Sequence, residues 1–121
     1  MTWPGGVDLD GFRAIALALP EAVEQDHRGR PSFRVRGRIF ATLWPDEMRA
    51  VLRLPREEHE ALIAAEPETF AEIPGWERLH RTFVGLRTVD AGELKELVAE
   101  SWRGVAPKRL VTAYEAEATG R

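Results

Sequence analysis

The sequence has no cysteine. That excludes disulfides, thiolate metal centres and a cysteine nucleophile. No apolar run approaches the roughly 18 residues that a membrane-spanning helix requires. The opening residues, MTWPGGVDLDG, lack the basic-then-apolar order of a secretion signal. A soluble, cytoplasmic protein is the expectation. Internal repeats and low-complexity tracts are also missing.

The usual signatures of chemistry are equally scarce. His27, His59 and His80 are scattered and show no HExxH spacing, so no metal is expected. Ser32 lies in GRPSF, not in the GxSxG of a nucleophile elbow. Gly29 and Gly37 do not make a phosphate loop. The acid pairs Asp46-Glu47 and Glu57-Glu58 read as turn and helix-start residues. Nothing brings together an acid, a base and a nucleophile. The expectation is a protein with no catalytic residues, no cofactor and no enzymatic role.

What the sequence does have is a single-domain length of 121 residues, with 44% apolar and 31% charged side chains. A chain of that size buries roughly two-thirds of its unfolded surface, enough for a core without staples. One domain is expected over residues 1–121, with residues 1–7 and 116–121 as loose ends.

The most organised stretch is His27–Trp44, HRGRPSFRVRGRIFATLW. It holds five arginines (Arg28, Arg30, Arg34, Arg36 and Arg38) and no acid, in a chain whose net charge is −3. A concentrated basic segment in a mildly acidic chain points to a local anionic contact. Charged strand faces also serve simply to block aggregation. Residues 32–35 alternate polar and apolar, and residues 38–44 are rich in β-branched and aromatic side chains. Between them Arg36-Gly37 reads as a two-residue turn, with glycine supplying positive φ. That turn sets Val35 opposite Arg38, Arg34 opposite Ile39 and Phe33 opposite Phe40. Phe33, Val35, Phe40 and Thr42 then share the core face. Arg34 and Arg36 face solvent, and Arg28 and Arg30 lie in the approach to the hairpin.

Around this hairpin the pattern predicts an amphipathic helix from an Asp8 cap, with Leu9, Phe12, Ile15, Ala16 and Leu19 inward and Pro20 as its stop. Short strands follow over residues 23–27 and 48–54. A helix begins near Pro55, and Phe70–Ile73 is ambiguous and open to an extended reading. Pro74-Gly75 is a turn, and residues 81–86 are a strand. Asp90 and Glu93 have capping-box spacing, and Val89 and Leu94 occupy the staple positions of the next helix. Its buried stripe is Leu94, Leu97, Val98 and Trp102, and Gly104 ends it. A short last helix starts at Pro107, with Lys108 and Arg109 in its first turn. The order gives an α+β domain: an antiparallel meander of hairpins covered by helices. Trp44, Trp76 and Trp102 are expected in the core or at its rim.

The segments GRPSFRVRGRIFATLWPDE, VLRLPREE, Pro74–Trp76 and WRGVAPKRLV together resemble the MmcQ/YjbR family, in a match running from about Leu9 to Tyr114. Members often carry an aromatic where Arg28 stands, and Asn or Asp where Arg36 stands. The resemblance implies a domain related to the CyaY-like fold, with "double wing" hairpins proposed to bind DNA. Weak, salt-sensitive DNA binding through Arg28, Arg30, Arg34, Arg36, Arg38, Lys108 and Arg109 is therefore the expected role. The alternative is a protein partner that pairs with an exposed strand edge or apolar patch.

Overall fold

The computed structural model describes residues 5–119. Asp8 accepts a hydrogen bond from the Gly11 N–H at 2.7 Å and caps α1 (Leu9–Leu17). Phe12 and Ala16, four residues apart, are the buried residues of this helix. Six strands follow: β1 (Val23–His27), β2 (Arg30–Val35), β3 (Arg38–Trp44), β4 (Arg49–Arg53), β5 (Phe70–Glu72) and β6 (Arg81–Gly85). They form one antiparallel sheet in the order β1-β2-β3-β4-β6-β5. Three more helices, α2 (Arg56–Ala65), α3 (Ala91–Arg103) and α4 (Lys108–Thr119), complete an α+β architecture.

Two Arg-Gly turns build the first half of the sheet. Arg36-Gly37 closes β2 on β3 with φ of 52° and 80°. Arg28-Gly29 closes β1 on β2 with φ of 56° and 87°, setting His27 opposite Arg30. Positive φ at both central residues gives the twist that suits a two-residue hairpin. Glycine adopts it freely, whereas arginine bears a cost of about 1–2 kcal/mol. The segment expected to be an approach to one hairpin is thus a second hairpin. Pro31, which has no N–H to give, lies just beyond Ser32–Thr42, the last pair of the β2–β3 ladder.

The register of β2 and β3 departs from simple alternation. Val35 faces Arg38 and Arg34 faces Ile39 as the turn requires, but Phe33 faces Ala41 and not Phe40. Phe40 is the extra residue of a β-bulge. Phe40 and Ala41 both point into the core, Leu43 is buried with them, and Thr42 moves to the opposite face. The expected core position of Thr42 is corrected by that one-residue shift. On the other side of β3, the ladder to β4 ends at Ala41–Leu52. There the Ser101 hydroxyl of α3 donates to the Phe40 carbonyl and accepts from the Arg53 N–H, standing in for the next rung.

The helices cover one side of the sheet. Asp90 accepts from the Glu93 N–H at 3.0 Å, and Val89 and Leu94 are both buried at the expected staple positions. Leu94, Leu97, Val98 and Trp102 of α3 pack with Phe12, Phe33, Phe40, Leu43 and Leu52 in the main core. The Trp102 indole N–H donates to the Pro20 carbonyl at 3.1 Å. Tyr114 of α4 lies 5.1 Å from the Trp102 ring. That helix runs on through residues 116–119, which sequence reading places in a loose tail. Val7, read as part of a loose lead-in, is buried and donates to the Leu86 carbonyl at 2.7 Å. The rest of those expected loose ends, residues 1–4 and 120–121, lies outside the described residues.

Where α2 meets α3, carboxyls face carboxyls. Hydrogen bonding to Glu100, with burial second, pushes the Glu58 carboxyl up to about 7. Burial first, and then Glu66, raises the Glu93 carboxyl. A group raised in the folded state holds a proton that the unfolded chain has released, so its contribution is complete at low pH and is lost as pH rises through the folded value. The window for Glu58 runs from its ordinary 4.5 to about 7. Thermal stability should therefore fall between about pH 5 and pH 7.5, and Glu58→Gln should flatten that fall in a calorimetric pH series. An undiminished slope in the variant would assign the pH dependence to other groups. Separately, Arg28→Asn should raise stability by about 0.5–1 kcal/mol in urea denaturation. Asparagine tolerates left-handed backbone better, and Arg28 has no ion pair to lose among the described residues.

Candidate nucleic-acid interface

Cross-strand partners share a face, so the register assigns every strand residue to one side of the sheet. The side away from the helices carries Val23, Gln25 and His27 of β1, then Arg30, Ser32 and Arg34 of β2. It continues with Ile39, Thr42 and Trp44 of β3, Arg49, Val51 and Arg53 of β4, and Arg81 and Phe83 of β6. None is acidic. The acids of β1, Glu24 and Asp26, fall on the helical side by alternation, and Glu24 meets Arg13 of α1 there at 3.3 Å.

The open face forms a groove of about 690 Å³ bordered by six arginines: Arg28, Arg30, Arg34, Arg53 and Arg81, with Arg38 at the hairpin end, where the register pairs it with Val35 on the helical side. His27, Trp44, Trp76, Ile39, Val51 and Leu79 also line it, and no carboxylate does. Arg34 Nε donates to Ser32 Oγ at 3.1 Å, and its Nη2 lies 3.4 Å from His27 Nδ1. The guanidinium of Arg30 sits 3.7 Å from the centroid of Trp44, with Asp46 at the rim 3.8 Å away. Arg28, Arg38 and Arg53 form no ion pair among the described residues.

Arg36 behaves differently. Its Nε and Nη2 meet the two carboxylate oxygens of Glu21 at 2.5 and 3.1 Å. That hydrogen bond holds the Glu21 carboxyl below its ordinary value and raises the guanidinium. Arg36 is exposed as expected, but it is neutralised and does not line the groove. Lys108 and Arg109 lie apart as well. They are exposed at the start of α4, which packs on the helical side through Leu110, Val111 and Tyr114. The two basic segments do not merge into one stripe.

In their place the structure brings in Arg53 and Arg81, directly opposite each other on β4 and β6. Like charges in that position destabilise a sheet. Burial lowers the pKa of Arg81, and the charge of Arg53 adds to the effect. Arg81 Nη1 donates to the Leu79 carbonyl at 2.9 Å, and Arg81 forms no ion pair among the described residues. The alternation of Arg49, Val51 and Arg53, and of Arg81 and Phe83, is visible in the sequence. The pairing of β4 with β6 across an intervening helix and strand is not.

Beneath the arginines runs a chain of edge-on aromatic contacts. Phe83 lies 4.8 Å from Trp44, and Trp44 lies 6.2 Å from Trp76. Arg49 covers Phe83 at 4.5 Å and meets Glu47 at 3.6 Å. On the helical side, His59 is buried with Nδ1 2.7 Å from Thr82 Oγ1 and Nε2 3.1 Å from Glu72. No group of three His, Asp or Glu residues among the described residues is placed to hold a metal. No helix there is long and apolar enough to cross a membrane.

Comparison with known proteins places this geometry in context. The YjbR family model matches residues 17–104. An uncharacterized protein of Mycobacterium bovis, and others from two strains of Mycobacterium tuberculosis, are 37% identical over 54 residues. The match covers 45% of this chain and 42% of each relative, so the chain spans well under half the length of those proteins. The crystal structure of Deinococcus radiodurans protein DR2400, with a DUF419 domain, superposes with a TM-score of 0.74 at 26% identity, covering 90% of this chain and 85% of that one. None of these names states an activity.

The Arg53–Arg81 juxtaposition is testable through stability alone. Arg53→Gln should raise the urea midpoint by the equivalent of about 0.2–1 kcal/mol at low ionic strength. The gain should shrink as salt approaches about 1 M. A lowered midpoint would show that packing of the arginine stem outweighs the repulsion.

Proposed function

The chain belongs to the YjbR family, and on its arginine-lined open face we propose that it binds nucleic acid, DNA in particular, weakly and with little sequence preference, without catalysing a reaction. The observation that carries this reading is a groove with six arginines and no carboxylate in a chain of net charge −3. Planar guanidinium forks match phosphate oxygens. Such contacts position a protein on the backbone without reading bases. The net negative charge repels a polyanion at long range, so attraction is confined to this face and is sensitive to screening.

A second reading, strand addition by a protein partner, draws on β1, whose five residues are all exposed at the sheet's edge. Glu24 and Asp26 on that strand are the kind of charged edge residues that discourage such pairing. A stable dimer or a co-purifying chain, without any DNA shift at low salt, would favour it.

Anisotropy of a labelled DNA oligonucleotide tests the main reading. If roughly four phosphates are neutralised, affinity should drop on the order of a hundredfold between about 50 and 200 mM salt. Arg34→Glu with Arg53→Glu should abolish binding. Arg36→Ala, which removes an arginine already paired with Glu21, should change it little. Lys108→Glu with Arg109→Glu should leave it unaltered. Binding that survives the first double variant would discard the groove as the site.

A further inference from the structure

Resting on the nucleic-acid reading, we infer that the ligand of this face is single-stranded, with an unpaired base stacked on Trp76 and a neighbouring phosphate held between Arg53 and Arg81. The composition of the groove argues for it. A duplex presents sugars and phosphates outward and keeps its base faces stacked inside. Arginines alone would serve such a ligand. This groove also has Ile39 and Leu79 on its surface, and a tryptophan that is 42% exposed. Those groups gain nothing from a phosphate backbone and much from the face of an unpaired base.

Trp76 is placed as a platform. Its backbone N–H donates to the Ile73 carbonyl at 2.9 Å across the Pro74-Gly75 turn, where Gly75 has a φ of 87°. Its ring meets Trp44 edge-on at 6.2 Å. Trp44 is already covered by the Arg30 guanidinium, so of the two tryptophans lining the groove Trp76 offers the exposed indole. Glu77, the acid next to it, is turned into the loop, where it accepts from the Gly75 N–H at 3.2 Å.

The phosphate position follows from the same short segment. Five residues beyond Trp76 in sequence, Arg81 hydrogen-bonds the Leu79 carbonyl and stands opposite Arg53. Two guanidinium groups share that position with no acid lining the groove, while Glu100 and Glu115 line an adjoining cavity that both arginines also border. An anion between them would replace repulsion with two charge-assisted hydrogen-bonding partners.

The test uses the full chain at about 50 mM salt, with a labelled oligo(dT) strand and a duplex of equal length. The single strand should bind at least about tenfold more tightly and should quench tryptophan fluorescence. Trp76→Ala should weaken single-strand binding by roughly five- to a hundredfold, remove the quench and weaken duplex binding far less. Trp76→Phe should restore most of the affinity, and circular dichroism should confirm that each variant is folded. Duplex binding as tight as single-strand binding, or a Trp76→Ala variant that binds as the parent does, would overturn the inference while leaving nucleic-acid binding intact. Failure to bind either form would remove the underlying reading as well.

Discussion

One extra residue in β3 governs which side chains face where. Phe40 interrupts the alternation between β2 and β3, and the Ser101 hydroxyl bridges Phe40 and Arg53 where the β3–β4 ladder stops. Without the bulge, strict alternation would send Ala41, Leu43 and the strand's other odd positions to the open face. With it, Phe40, Ala41 and Leu43 fill the core, while Thr42 and Trp44 join the arginines. A buried hydroxyl from a helix can hold such a defect because it supplies both a donor and an acceptor to backbone groups that would otherwise be unmatched.

The charge distribution has an energetic direction. Acids are plentiful in this chain, yet they are used at the rim of the open face and away from it: Glu21 on Arg36, Asp46 beside Arg30, Glu24 on Arg13. Elsewhere they crowd one another, as with Glu58 and Glu100 between α2 and α3. Meanwhile Arg53 and Arg81 stand opposite each other with no ion pair among the described residues, although Glu100 and Glu115 line an adjoining cavity that both arginines border. A sheet optimised only for stability would place acids between those arginines. Repulsion between two arginines within the groove is what the proposed nucleic-acid ligand would relieve.

Much of the fold was legible because its signals are local. The Asp8 and Asp90 caps, the Arg36-Gly37 turn and the inward stripe of α3 each depend on residues within four positions of one another. The Arg28-Gly29 turn is obscured by Pro31, which reads as a breaker although it pairs with Asp26 in that hairpin and lies just beyond the last pair of the β2–β3 ladder. The bulge was invisible because Phe40 and Ala41 are both apolar enough for the core, so composition does not reveal a change of phase. The interface was legible only in part. Alternation marks Arg34 and Arg53 as outward, but the partnership of Arg53 with Arg81 arises from strands 28 positions apart at that pair. The capture of Arg36 by Glu21 depends on the path of the loop after α1.

The placement of Glu24 and Asp26 in β1 has a consequence for how this chain can vary. Each sits between residues of the arginine face, separated from it only by the two-residue period of a strand. Point changes at either position leave the electrostatic character of the open side alone. A single-residue insertion or deletion within β1 would rotate the strand's exposed half by one step and turn both carboxylates onto the guanidinium surface. Length, more than identity, is what descent must conserve along that edge.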